Sequence, residues 1–218
     1  MTISEIRKQF KVWLGGKGFV RTSNINLFIK DQGYYLIVAE LQPYKPLGGF
    51  FFNLGVKFLW SESDVISYDY SSGNTRVYGQ EKPTNPLGAI LYDSSTIDEE
   101  IRYMMSEGNK RIDEYIALSD MQVLVDRLST RKDFVAVANP GFEKRDVSLG
   151  FALTMCGRGA EAKEIFNNAS EHNSVAVVLS QSCLEQERFV QDLVRIINNL
   201  RAKLSAKLKV KLDEITRL

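Results

Sequence analysis

One histidine, two cysteines and five prolines are all that 218 residues contain of those types, and the formal net charge is only +1. Each scarcity excludes something. A Ser-His-Asp or Cys-His triad would need His172 as its base, and zinc sites built on paired histidines are ruled out. His172 lies in Ser-Glu-His-Asn-Ser, which reads as a polar loop between helices. The chain has no Gly-x-Ser-x-Gly elbow for a hydrolase serine. Cys156 and Cys183 form no C-x-x-C pair and are too few for a disulfide framework. A reducing cytosol is the expected location. The near-zero charge provides no global field for nucleic acid or an anionic membrane. No stretch approaches the ~20 apolar residues that span a bilayer, and the first residues carry no apolar signal core.

What is present is ordinary globular material, 44% hydrophobic and 25% charged. A chain of this size buries roughly 70% of its unfolded surface and needs no metal or disulfide to fold. The sharpest pattern is Phe50 to Trp60. Phe50, Phe52, Leu54, Val56, Phe58 and Trp60 alternate with the mixed set Phe51, Asn53, Gly55, Lys57 and Leu59. A period of two predicts a strand, and at ~3.3 Å per residue it spans roughly 35 Å. Gly55 in mid-strand predicts a bulge or the close approach of another backbone.

Around this strand the chain divides into a helix-and-sheet part over 1–93, a helical region over 94–183 and a long basic amphipathic helix over 184–218. Thr2 and Glu5 predict a capping box for a helix with Ile3, Ile6, Phe10, Trp13 and Leu14 on one stripe. A β-meander follows, with Tyr34–Leu41 as its central strand. The fold class is therefore α+β, with the first helix on an antiparallel sheet of about five strands. Ser95 with Asp98, and Ser119 with Gln122, are the expected caps of the next helices. Asn139-Pro140-Gly141 marks a break.

Leu149-Gly150, Leu153, Gly157, Ala162, Phe166 and Ala169 match the spacing of one tetratricopeptide-type hairpin. Gly150 and Ala162 are small where two helices must approach, Phe166 fills the gap, and Gly157-Arg158-Gly159 supplies the turn. In the last segment Phe189, Leu193, Ile196, Leu200, Leu204, Leu208 and Ile215 form an apolar stripe beside many Lys and Arg. At 1.5 Å per residue such a helix exceeds ~45 Å, so Leu193, Ile196, Leu200, Leu204 and Leu208 are candidates for pairing with a partner helix or a second copy.

Gly15-Gly16-Lys17-Gly18 follows a helix and precedes a strand, the reverse of a phosphate loop. Asp98, Glu99 and Glu100 fall in a helix first turn, where they oppose the macrodipole. No metal or cofactor is expected. Aromatic side chains gather in the sheet half, and protein-binding anchors are enriched in Tyr, Trp and Arg. Tyr44, Phe51, Trp60, Tyr68 and Tyr70 are the binding candidates.

The order of first helix, Gly18-Phe19, alternating strands, Phe51-Phe52-Asn53-Leu54-Gly55-Val56-Lys57-Phe58 and Gly157-Arg158-x-x-Glu161-Ala162 resembles a broad family of uncharacterised bacterial proteins known only as a domain of unknown function. That family carries a Gly-Phe after its first helix and an Asn-Leu-Gly within a strand, and the likeness covers roughly residues 2–170. It implies a bacterial cytosolic setting and, by analogy with small genes beside toxin loci, an immunity-type protein that neutralises a toxin by contact. It supplies no catalytic residue. Two alternatives remain: an enzyme using carboxylates such as Asp64, Asp69 and Glu81, or a nucleic-acid binder through the basic last segment. Sheet basic residues (Lys30, Lys45, Lys57, Arg76) are too few to favour nucleic acid on the sheet.

Overall fold

The computed structural model describes residues 1–60, 64–71, 74–81, 83, 85, 87–130, 141–169 and 174–216. His172, Asn139 and Pro140 lie outside the described residues. The first helix, α1 (Ile3–Gly16), begins at the expected capping box: Thr2 accepts from the Glu5 amide, and Glu5 reaches back to the Thr2 amide. It lays Ile6, Phe10 and Leu14 into the core.

Strands β1 (Val20–Arg21), β2 (Leu27–Asp31), β3 (Tyr35–Tyr44) and β4 (Gly49–Phe58) follow as an antiparallel meander. Beyond β4, β5 (Arg76–Val77) and β6 (Ile90–Leu91) pair with different stretches of it. The α+β reading holds. β3 runs straight through Pro43, and the reversal falls instead at a short 3₁₀ turn, Lys45–Leu47, closed by Gly48 in the left-handed region. β6 falls just ahead of the helical region.

Residues directly opposite one another in an antiparallel pair share a face. Tyr35, Ile37, Ala39 and Leu41 of β3 therefore share one face with Phe58, Val56, Leu54 and Phe52 of β4. On it, Phe10 of α1 packs edge-on to Phe50 and Phe52, at 6.2 and 5.1 Å between ring centroids. Helix α2 (Ile97–Ala117) shares this face. A Cβ on Gly108 would lie 2.8 Å from the Trp13 ring, so this glycine admits α1 against α2. Trp13 also donates to Asn109 at 3.0 Å.

The expected caps shift by one residue. α2 starts after Thr96 with no side-chain cap, and α3 (Met121–Ser129) starts at Asp120, whose carboxylate accepts from the amides of Gln122 and Val123. An aspartate at this position satisfies two free amides at once, which the Ser119 hydroxyl does not.

Helices α4 (Gly141–Met155) and α5 (Gly159–Ala169) form the expected hairpin. A Cβ on Gly150 would stand 2.7 Å from the Phe166 ring, and Gly157 turns at φ 77°. α6 (Ser174–Ser182) and α7 (Gln186–Leu208) continue the array. Trp60 joins it to the sheet, stacking on Phe58 at 4.5 Å, meeting the tilted Phe151 ring at 4.3 Å, and donating to Ser148 at 2.9 Å. The last helix is shorter than its apolar stripe implied. It ends at Leu208, where Lys209 turns left-handed at φ 51°.

Two buried tyrosines tie the sheet to the end of α2. Tyr34 donates to the Leu118 carbonyl and Tyr35 to that of Tyr115, each at 2.7 Å. Burial pushes both phenols well above their ordinary value. The folded chain thus holds these protons more tightly than the unfolded chain, whose phenols titrate near pH ~10. Their contribution is intact below that pH and is lost as pH rises through and beyond it. We expect the melting temperature to fall above about pH 10, and to fall less steeply in Tyr34→Phe/Tyr35→Phe, as read by circular dichroism.

Candidate functional site on the second face of the sheet

The other face of β4 carries Phe51, Asn53, Gly55, Lys57 and then Leu59. Their opposites on β3 are Gln42, Glu40, Val38 and Leu36 for the first four. Arg76 joins this face opposite Asn53. No residue of β4 is exposed on either side.

The segment from Asp64 to Ser71 brings Tyr68 over this face and then joins the free edge of β4 as a single antiparallel bridge, Tyr70 with Val56. Its backbone is fixed to one residue of the strand: the Val56 amide donates to Tyr70, and the Val56 carbonyl accepts from Asp69 and Tyr70. The Tyr68 ring fills the space above Gly55, where a Cβ would sit 2.7 Å from it. The nearest group is thus a ring rather than the backbone that the mid-strand glycine predicts, with the Tyr70 carbonyl next at 3.0 Å. The Tyr68 hydroxyl donates to Glu40 at 3.2 Å. Burial, and then the Glu40 charge, raise its pKa, so it stays a donor.

Lys57 is fully buried and stands 3.5 Å from Asp69, itself buried. Asp69 also accepts from the Phe58 amide at 3.0 Å and from Ser67 at 2.8 Å. An ionised pair inside a protein persists only when its remaining lone pairs and protons are satisfied. Those hydrogen bonds supply what the carboxylate requires.

Towards the hairpin end the face opens. Tyr44 and Phe51 meet at 5.1 Å, and the Arg76 guanidinium lies 3.6 Å over the Phe51 ring. Arg76 donates to the Leu87 carbonyl at 2.7 Å, while its Nε is buried without a partner among the described residues. Tyr44 and Arg76 are half-buried, Gln42 is exposed, and Leu47 and Leu87 are 40% and 46% exposed.

Of the five binding candidates, then, Tyr44 and Phe51 come together here, while Tyr68 is half-buried over Gly55. Trp60 and Tyr70 are each 2% exposed and belong to the interior, Tyr70 against Tyr115 at 6.1 Å. The helix candidates Leu193, Leu200, Leu204 and Leu208 are buried within the chain, and Ile196 is half-buried beside the fully buried Ile197. Arg76 carries no signal in the sequence beyond its charge, because the ring beneath it is 25 positions away and is brought close only by strand pairing.

The three acids considered for catalysis do not converge. Asp69 faces Lys57, Asp64 is half-exposed opposite Lys207 at 3.5 Å, and Glu81 is exposed. Among the described residues no three His, Cys, Asp or Glu side chains gather in a metal-binding arrangement. Burial raises the pKa of both thiols, so neither cysteine is activated as a nucleophile. Several basic groups of the last segment stand in ion pairs, Arg195 with Asp192 and Lys211 with Asp213. Among the described residues no helix is long and apolar enough to cross a membrane.

No family model, curated protein or solved structure matches the chain.

Removing one member of a buried pair leaves the other uncompensated, at a cost of about 3–5 kcal/mol. We expect Lys57→Met to destabilise by that order. In Lys57→Met/Asp69→Asn the loss should be smaller than the sum of the single changes, as measured by a denaturant double-mutant cycle.

Proposed function

We propose that the protein is a non-catalytic binder of another protein, and that the open end of the second sheet face is where it docks. The cluster of Tyr44, Phe51 and Arg76 carries this reading. Tyr and Arg dominate binding energy where they are held rigidly at a desolvated centre. Phe51 fixes the Arg76 guanidinium from below, and Tyr44 flanks it on rigid strand. Leu87, whose carbonyl accepts from Arg76, adds exposed apolar surface of the kind that marks contact sites.

In its concrete form the role is that of an immunity-type protein in a bacterial cytosol, neutralising a toxin by covering it. The support for this is the resemblance described above together with a binding surface that needs no turnover. The test has two arms. The protein is recovered from its native host with whatever it holds at stoichiometric ratio, and the same is done with Tyr44→Ala/Arg76→Glu, which alters only half-exposed side chains. The partner should be lost from the variant by more than tenfold, since two hot-spot changes remove about 2–4 kcal/mol or more. The partner expressed alone should arrest growth, and coexpression should restore it. Recovery of no stoichiometric protein, or equal retention by the variant, contradicts docking at this face. A partner harmless to growth contradicts the immunity role alone.

A further inference from the structure

Residues 209–216 double back along α7 in the opposite direction. Asn198 pairs with both backbone groups of Ile215: its amide donates to the carbonyl at 2.9 Å, and its oxygen accepts from the Ile215 amide at 2.9 Å. Arg201 Nε donates to the Asp213 carbonyl at 2.6 Å. The Ser205 hydroxyl accepts from the Leu212 amide at 2.9 Å. Rising along the helix from 198 to 205, the contacts fall along the segment from 215 to 212.

The lengths agree. Seven helical residues advance about 10.5 Å, and three extended residues advance about 10 Å. α7 therefore presents a row of polar side chains whose spacing fits an extended peptide. All three read backbone atoms. The row is rigid because the rest of the Arg201 guanidinium is buried on Asp31 and the Gly33 carbonyl, in the turn between β2 and β3. Side-chain selectivity comes from Leu212, which is 9% exposed.

The connection into this arrangement is strained. Lys209 is the single non-glycine residue with positive φ among those described, a conformation disfavoured for a side-chain-bearing residue. Moreover, the apolar stripe of α7 continues in register to Ile215, so the same residues are patterned to prolong the helix. Closing the segment onto its own helix thus depends on one unfavourable turn.

We infer that the row Asn198, Arg201 and Ser205 is a site for an extended peptide, and that its occupant in trans is residues 209–216 of a second copy of this chain. The second copy is favoured over a foreign peptide because it carries the same Leu212 at the same distance from the backbone groups that are read. Exchange of an identical element repeats every contact of the closed chain, and needs only Lys209 to leave the left-handed region.

The test uses two full-length variants, one with a damaged site (Asn198→Ala/Ser205→Ala) and one with a damaged segment (Leu212→Asp). Each is expected to stay monomeric by light scattering. Mixed and gently warmed, they should form a one-to-one heterodimer, with the intact segment of the first on the intact site of the second. The wild-type chain should form a dimer whose population grows with concentration. Lys209→Gly removes the backbone penalty of the closed form and should lower that population about tenfold. If Leu212→Asp does not melt cooperatively, Leu212→Ala takes its place. A mixture that remains monomeric, or a dimer population unmoved by Lys209→Gly, overturns the inference.

Discussion

Lys57 carries a charge into a strand that is buried at every position from Gly49 to Phe58. What pairs with it must therefore bring a carboxylate whose remaining lone pairs are hydrogen-bonded. The segment carrying Asp69 does so, and it brings Tyr68 with it to seat on Gly55. Replaced by an apolar pair of the same volume, the site could be equally stable. The ion pair instead specifies which stretch of irregular chain lies on the sheet, and in which register. That choice leaves the hairpin end of the face uncovered, and so determines where Tyr44 and Arg76 meet solvent.

A second charge ties the last helix to the sheet. Arg201 of α7 holds Asp31 at the far end of β2, while the Leu208 carbonyl accepts from Ser23, ahead of β2, at 2.8 Å. One anchor at the end of β2 and one in the β1–β2 connection hold the helix at two points. The hydrophobic effect that drives α7 onto the sheet is non-directional, and it is these polar contacts that give it an orientation. The apolar stripe offered in the sequence as a surface for another helix is accordingly used within the chain.

How much of this was legible before the structure follows from which signals are local. The first helix, the hairpin of β3 and β4 and the tight contacts at Gly150 and Gly55 all lie in short-range patterns: a capping box, a period of two, a glycine where two elements meet. The caps of α2 and α3 were displaced by one residue because cap-forming residues stand side by side at each start, Ser95 with Thr96 and Ser119 with Asp120. The end of α7 was misplaced because Val210, Leu212 and Ile215 keep an apolar pattern through a segment that leaves the helix at Lys209. Strand-edge aromatics could not be sorted into anchors and core from their type alone. Trp60 and Tyr70 differ from Tyr44 only in what tertiary packing sets against them. Pairs such as Lys57 with Asp69 and Arg201 with Asp31 are long-range choices among many charges of equal local character.

The central claim is that the segment from Asp64 to Ser71 and the sheet form one cooperative unit, joined through Lys57. Native-state hydrogen exchange tests it most directly, because sub-global opening appears as amides that exchange with less free energy than global unfolding. The amides of Val56, Phe58 and Tyr70 should exchange together, with the same denaturant dependence as the centre of β3. Exchange of Tyr70 and Phe58 well ahead of Ile37 and Val38, at a free energy independent of denaturant, would contradict the account.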